Sequence, residues 1–180
     1  MHSLRGASRG SSGQALAEFA IIAPVFFLLL FSVVQLGLVF GAQNGVVNAT
    51  RDTARRAATY RIGESTIQAQ QGAAAGAGIC GQVQSELAAQ LAAAVPGYET
   101  TRVVRSISWT WRSDGSGTYF LYVTVDVKYK HPLYIPLVGA ILDKFDSEPT
   151  ASNLILGASE QMRVENPALD PQTRQNLTCP

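Results

Sequence analysis

The chain has 180 residues, enough for one modest domain, with 47% hydrophobic residues, only 15% charged and a formal net charge of +1. Its 14 Lys and Arg residues are scattered, with no run longer than two, which argues against the basic stripe of a nucleic-acid binder. There is no nucleophile elbow, P-loop or zinc-ligand spacing, and the histidines are only His2 and His131, so the residues point to no enzyme, cofactor, metal or small-molecule substrate.

The first segment, MHSLRGASRGSSG, is short, basic and polar. It is followed by a single acid, Glu18, and then by an uncharged run from Phe19 to Phe40. At the helical rise, that run reaches roughly 33 Å, enough to cross a bilayer core. Pro24 falls in the first two turns of the run, where a proline is better tolerated than at mid-helix. A secretory signal has a shorter apolar region before its small-residue cut. A weak site of that kind around Val39, Phe40 and Gly41 would release a soluble product beginning near Ala42, so a retained span and a secreted protein are separate expectations. Charge does not settle orientation: Arg5 and Arg9 precede the span, while Arg51, Arg55 and Arg56 follow it with only Asp52 opposing. Export of the long C-terminal part is the reading adopted, because the N-terminal tail is too short to fold.

Small residues recur every four positions through Gly37, Gly41, Gly45 and Ala49, and on through Thr53 and Ala57. Residues so spaced neighbour each other along a helix and let a second backbone come close, and since each step of four overshoots a full turn by about 40° the line winds slowly around the helix. The partner is either another subunit or the protein's own domain; alternatively Gly41 and Gly45 mark a hinge at the membrane surface. Helix is expected from Asn44 to about Tyr60, then a Gly- and Ala-rich loop or frayed helix over Gly63 to Gly81, then a second helix from Gln82 to Ala94. Val83, Leu87 and Leu91 give that helix one apolar face, and Pro96-Gly97 stops it.

The period then changes to two. Val103, Ile107, Trp109 and Trp111 share one face of a strand, and SDGSG at Ser113 to Gly117 signals a turn. Tyr119, Leu121, Val123, Val125, Val127 and Tyr129 share one face of the next strand, completing a β-hairpin. The alternation makes Trp109 and Trp111 core residues before it makes them a sugar or membrane contact. A Pro-framed turn and short apolar helix are expected over Pro132 to Phe145. A third strand carries Leu154, Leu156, Ala158, Met162 and Val164, and the tail from Asn166 is polar. The fold class is therefore α+β: a long N-terminal transmembrane helix extending into a small exported domain, whose antiparallel sheet of three or more strands packs on helices. Cys80 and Cys179 fit either one disulfide in an oxidising space or two free thiols. Asn48-Ala-Thr50 and Asn176-Leu-Thr178 match glycosylation acceptors, short matches expected by chance.

Gly13 and Glu18 acquire meaning together. A cut after Gly13 would remove a polar leader, leave the apolar helix attached and make Gln14 the first residue and Glu18 the fifth. This resembles the class III signal of type IV pilins and pseudopilins, in which that glutamate pairs with the new α-amino group of a neighbouring subunit and sets the register. A carboxylate among packed apolar helices needs such a partner; at the edge of a lone span it would simply meet the lipid interface. The stretch GQALAEFAIIAPVFFLLLFSVVQLG resembles the start of the TadE-like family of the tight-adherence (Flp) pilus system through Gly13, Ala17-Glu18-Phe19 and Ala23-Pro24. NATRDTARRAATY resembles the family's Ala- and Arg-rich helix, and HPLYIPLVGAIL and LILGASEQMRVE resemble its closing segments more loosely.

The resemblance implies a minor pilin or pseudopilin with a processing site at Gly13 and Gln14, a subunit register at Glu18 and helix packing at Gly37, Gly41, Gly45 and Ala49. It implies as partners the inner membrane, a prepilin peptidase, other pilin subunits and the pilus assembly platform. The expected segments are a leader over 1–13, a transmembrane helix over 14–43, a helical extension over 44–62, the loop over 63–81, the exported domain over 82–165 and a flexible tail over 166–180. The competing class is a single-pass anchored binding domain that is never processed.

Overall fold

The computed structural model describes residues 11–62, 70, 76–135, 153–165 and 175–179. Helix α1 runs without interruption from Ser11 to Thr59. Helix α2 spans Gly78–Ala94, and a single 3-10 turn at Thr100–Arg102 leads into the sheet. The strands are β1 (Val103–Ser113), β2 (Tyr119–Pro132), β3 (Asn153–Arg163) and β4 (Leu177–Cys179). They form one antiparallel sheet in the order β3-β2-β1-β4. The architecture is thus a long apolar helix and a second helix against a four-stranded antiparallel sheet, an α+β fold of the expected class.

The hairpin follows from the alternation of β1 and β2. Ile107 stands opposite Val125 and Trp109 opposite Val123, and all four are buried. A one-residue slip would turn every one of these side chains to the other face, so the apolar pattern fixes the register. Asp114 holds the turn: its Oδ1 accepts from the backbone N–H groups of Ser116 at 2.8 Å and Thr118 at 3.2 Å. These bonds hold the Asp114 carboxyl below its usual range, the Ser116 hydroxyl contributing most. Gly115 and Gly117 supply the left-handed backbone the turn needs, at φ 87° and 91°.

The inner face of the sheet meets both helices. Helix α1 packs on β2, β3 and α2. Val83, Leu87 and Leu91 bury the apolar face of α2, and Leu121, Val127 and Tyr129 lie on the facing sheet. Trp109 is fully buried and Trp111 partly so, as the alternation requires. Between the helices, Arg56 meets Glu86 at 2.6 Å, and the Tyr60 hydroxyl donates to the second Glu86 oxygen at 3.1 Å.

Three features differ from the sequence reading. Pro24 lies well inside α1 rather than in its first two turns, because the helix is already formed at Ser11. The carbonyl four residues earlier loses its N–H partner, an arrangement that membrane helices accommodate. Helix α2 begins at Gly78, so Gly78 to Gly81 leave the expected loop. Leu177–Cys179, within the segment read as a flexible tail, pairs with Ile107–Trp109 as a fourth strand. A three-residue strand is too short to show a period, and what pins it is covalent: Cys179 is joined to Cys80 at the start of α2. The short helix expected within Pro132 to Phe145 falls, beyond position 135, outside the described residues.

A candidate assembly site on the N-terminal helix

Gly13, Gln14 and Glu18 lie on the first turns of α1. A Cβ at Gly13 would meet nothing within 4 Å. Gln14 and Glu18 are one helical turn apart on one face, and the Gln14 amide donates to Glu18 Oε1 at 3.0 Å. From Leu16 to Phe40 most of the large apolar side chains of α1 stand exposed, Phe19, Ile22 and Phe26 among them, while Leu28 is half-buried and Val39 buried. A helix of this length and composition, running Gly13–Thr59, is the candidate membrane span among the described residues.

The domain docks on α1 along a seam that begins at Gln35. Gln35, Val39, Ala42, Val46, Ala49 and Thr53 are all buried, at alternating steps of four and three. Such steps stay on one side of a helix, because a step of four overshoots a full turn by about 40° and a step of three falls short by about 60°. The four-residue line winds around α1, as its spacing requires, and so crosses the seam rather than following it. Gly45 and Ala49 lie in the seam, whereas Gly37 and Gly41 have nothing within 4 Å of a Cβ position. At Gly45 the approach is close: a Cβ there would overlap the Ala94 carbonyl oxygen at the end of α2 and lie 2.8 Å from its carbon. The predicted packing residues are thus divided between the protein's own domain and an open face.

The base of the seam holds polar groups that sequence reasoning passed over. Gln35 is fully buried, and its Oε1 accepts from the Tyr134 backbone N–H at 3.1 Å, while its Nε2 has no partner. His131, near the end of β2, is 1% exposed with neither ring nitrogen hydrogen-bonded. It stands between the rings of Tyr129 and Tyr134 at centroid distances of 6.1 and 6.3 Å. Burial pushes its pKa below the ordinary value of 6.5, and the nearby Arg102 charge acts in the same direction. The available signal for Gln35 was an amide inside an otherwise apolar run; for His131 it was its place in register with the inward residues of β2.

Cys80 and Cys179 come together as a disulfide 99 positions apart in sequence. A cavity of about 440 Å³ beside α2 and β1, lined by Gln84, Ser85, Thr100 and Arg105 among others, contains none of the predicted site residues. Among the described residues no group of His, Cys, Asp and Glu is arranged to hold a metal.

Residues 13–55 match the model of the TadE-like protein family. The N-terminal helix is TadE-like. The match takes in Gly13, Glu18, Pro24 and the whole small-residue line to Thr53, and it stops before the sheet domain, so the looser C-terminal resemblances lie beyond it. No match was found among curated proteins or solved structures.

Proposed function

We propose that this chain is a minor pilin or pseudopilin-like subunit of a tight-adherence pilus, with a structural and not a catalytic role. It is made as a precursor and cut by a prepilin peptidase between Gly13 and Gln14. It is held in the bacterial inner membrane by α1, with its N-terminus cytoplasmic and its domain exported, until the assembly platform draws it in among other pilin subunits. The domain behind the helix suits a tip, priming or regulatory subunit, serving surface adhesion through the pilus. No nucleic acid or small-molecule substrate enters this role.

The observation that carries the reading is that Gly13 and Glu18 lie on a TadE-like helix whose large apolar side chains are mostly exposed from Leu16 to Val34. Bare apolar surface of that length demands either lipid or neighbouring helices. Within a bundle of such helices the Glu18 carboxylate needs a cationic partner, and the α-amino group freed at Gln14 of a neighbour is one. The disulfide between Cys80 and Cys179 supports an oxidising compartment for the domain.

N-terminal mass spectrometry of the membrane-bound protein, from a host with an active prepilin peptidase, tests the proposal. A mature chain beginning at Gln14 is expected. Retention of Met1 or Ser3 would instead identify an unprocessed anchored domain. In a second experiment, Glu18→Ala is expected to leave cleavage intact and reduce pilus output; unchanged output would remove the register role from Glu18.

A further inference from the structure

The seam fixes the height at which the domain leaves the helix. Among the described residues its lowest is Gln35, tied to the backbone of Tyr134, so Tyr134, just after β2, lies level with Gln35 along α1. On the other side of the same turns, Leu36, Leu38 and Phe40 remain exposed, Phe40 at 65%. Domain and bare apolar helix therefore overlap from position 35 to 40, about 7.5 Å along the axis. About 20 residues fill a bilayer core. Counted from Leu16, the core ends level with Gln35; counted from Phe19, the first residue after the acid, it ends level with Leu38. On either count the base of the domain is at or below the upper edge of the hydrocarbon, with no linker to lift it clear.

The side chains there suit that depth. Tyr134 is 59% exposed, an amphipathic ring of the type that collects at membrane interfaces. Beside it Leu133 is buried and His131 is enclosed, and Glu99 and Arg102, the charged groups that act on neighbouring Tyr129, are engaged with each other at 2.8 Å.

We propose that the base of the domain sits in the headgroup layer of the bilayer that α1 crosses, with Tyr134 as its interfacial anchor. The proposal rests on the membrane-anchored reading of α1. The domain is then a partly embedded foot on the membrane, in contact with lipid before any subunit contact is made, and extraction must free Tyr134 from lipid as well as α1.

Tryptophan depth measurements test this with the full chain in phosphatidylethanolamine–phosphatidylglycerol vesicles carrying bromine on the acyl chains. Three single variants are compared with the parent, whose Trp109 and Trp111 set the background: Leu30→Trp in the span, Tyr134→Trp at the foot and Ser116→Trp at the far end of the hairpin. An intact Cys80–Cys179 bond and an unchanged melting temperature check folding. The expected result is that Leu30→Trp and Tyr134→Trp lose most of their added emission and Ser116→Trp keeps its own. Quenching at Leu30→Trp but not at Tyr134→Trp overturns the embedded foot and leaves the anchor standing. No quenching at either site overturns both.

Discussion

Gly45→Ala is the sharpest test of how the domain is mounted on its helix. In an ordinary exposed helix the substitution stabilises, because alanine is favoured over glycine by about 1 kcal/mol. Here the new methyl would overlap the Ala94 carbonyl oxygen, lie 2.8 Å from the carbonyl carbon and approach Val95 Cγ2 to 3.2 Å. Two of those three atoms are backbone at the end of α2, where Val95 N–H is bonded back to the Leu91 carbonyl at 2.9 Å. That backbone cannot swing aside as a side-chain tip does. Overpacking of a close contact costs about 1–3 kcal/mol, and a backbone obstacle argues for the upper end. Subtracting the propensity gain leaves a net loss of about 2 kcal/mol. Gly41→Ala is the matched control, since nothing lies within 4 Å of its Cβ position; it keeps the propensity gain alone. Thermal unfolding of the full chain in detergent micelles, followed by the near-ultraviolet signal of buried Trp109, should place Gly45→Ala several degrees below the parent and Gly41→Ala level with it or above. Equal stabilities for the two variants, or a more stable Gly45→Ala, would refute the close docking of α2 on α1.

Two other outcomes are expected. Replacing both cysteines, Cys80→Ala with Cys179→Ala, should destabilise the domain by about 2–5 kcal/mol, because the bond closes a loop of 99 positions and anchors β4; denaturant midpoints measure it, and a reductant should shift the parent but not the variant. His131 predicts a pH effect with a definite sign: its folded pKa lies below 6.5, so as pH falls through 6.5 the unfolded chain takes up the proton first and stability drops, levelling off below the folded pKa. His131→Phe should remove that part of the acid sensitivity, read as a flatter melting temperature between neutral and mildly acid pH. The loss of the Asp114 contribution belongs to a separate window, below 3.8, as its carboxyl is protonated.

The elements legible in the sequence were those with a strong period or a hard stop. Alternation in Tyr119 to Tyr129 placed six side chains on the inner face of β2, and Pro96-Gly97 marked the end of α2. The TadE-like start was legible because Gly13, Glu18 and Pro24 stand at fixed separations. What escaped was set by contacts distant in sequence. β4 has three residues and is held by a bond to Cys80, so no local pattern announces it. The burial of His131 depends on Tyr134 and on the 1% exposure that only the folded domain creates. The winding of the small-residue line was legible from its constant steps of four, but which of its members meet the domain was not, because the buried seam alternates steps of four and three and takes in only Gly45 and Ala49 of the first four.

That rotation bears on how a filament could be built from such a subunit. Three steps of four separate Gly37 from Ala49 by about 120° around α1. Ala49 is taken up by the chain's own domain, so Gly37 faces well away from it, and Gly41 lies between the two at about 80°. Among the described residues none of α1 from Gly13 to Val34 is buried; from Gln35 upward, one side is closed by the domain. Under the proposed role, a neighbouring helix reaching above Gln35 must therefore approach from the side of Gly37 and Gly41, where the absence of side chains lets backbones come close. The domain limits the directions in which α1 can be joined, while the exposed turn bearing Gln14 and Glu18 stays open below. Under the proposed role, such a subunit packs on all sides at its base and on one side above, so the domain and not the bare helix sets how its neighbours are arranged around the upper turns.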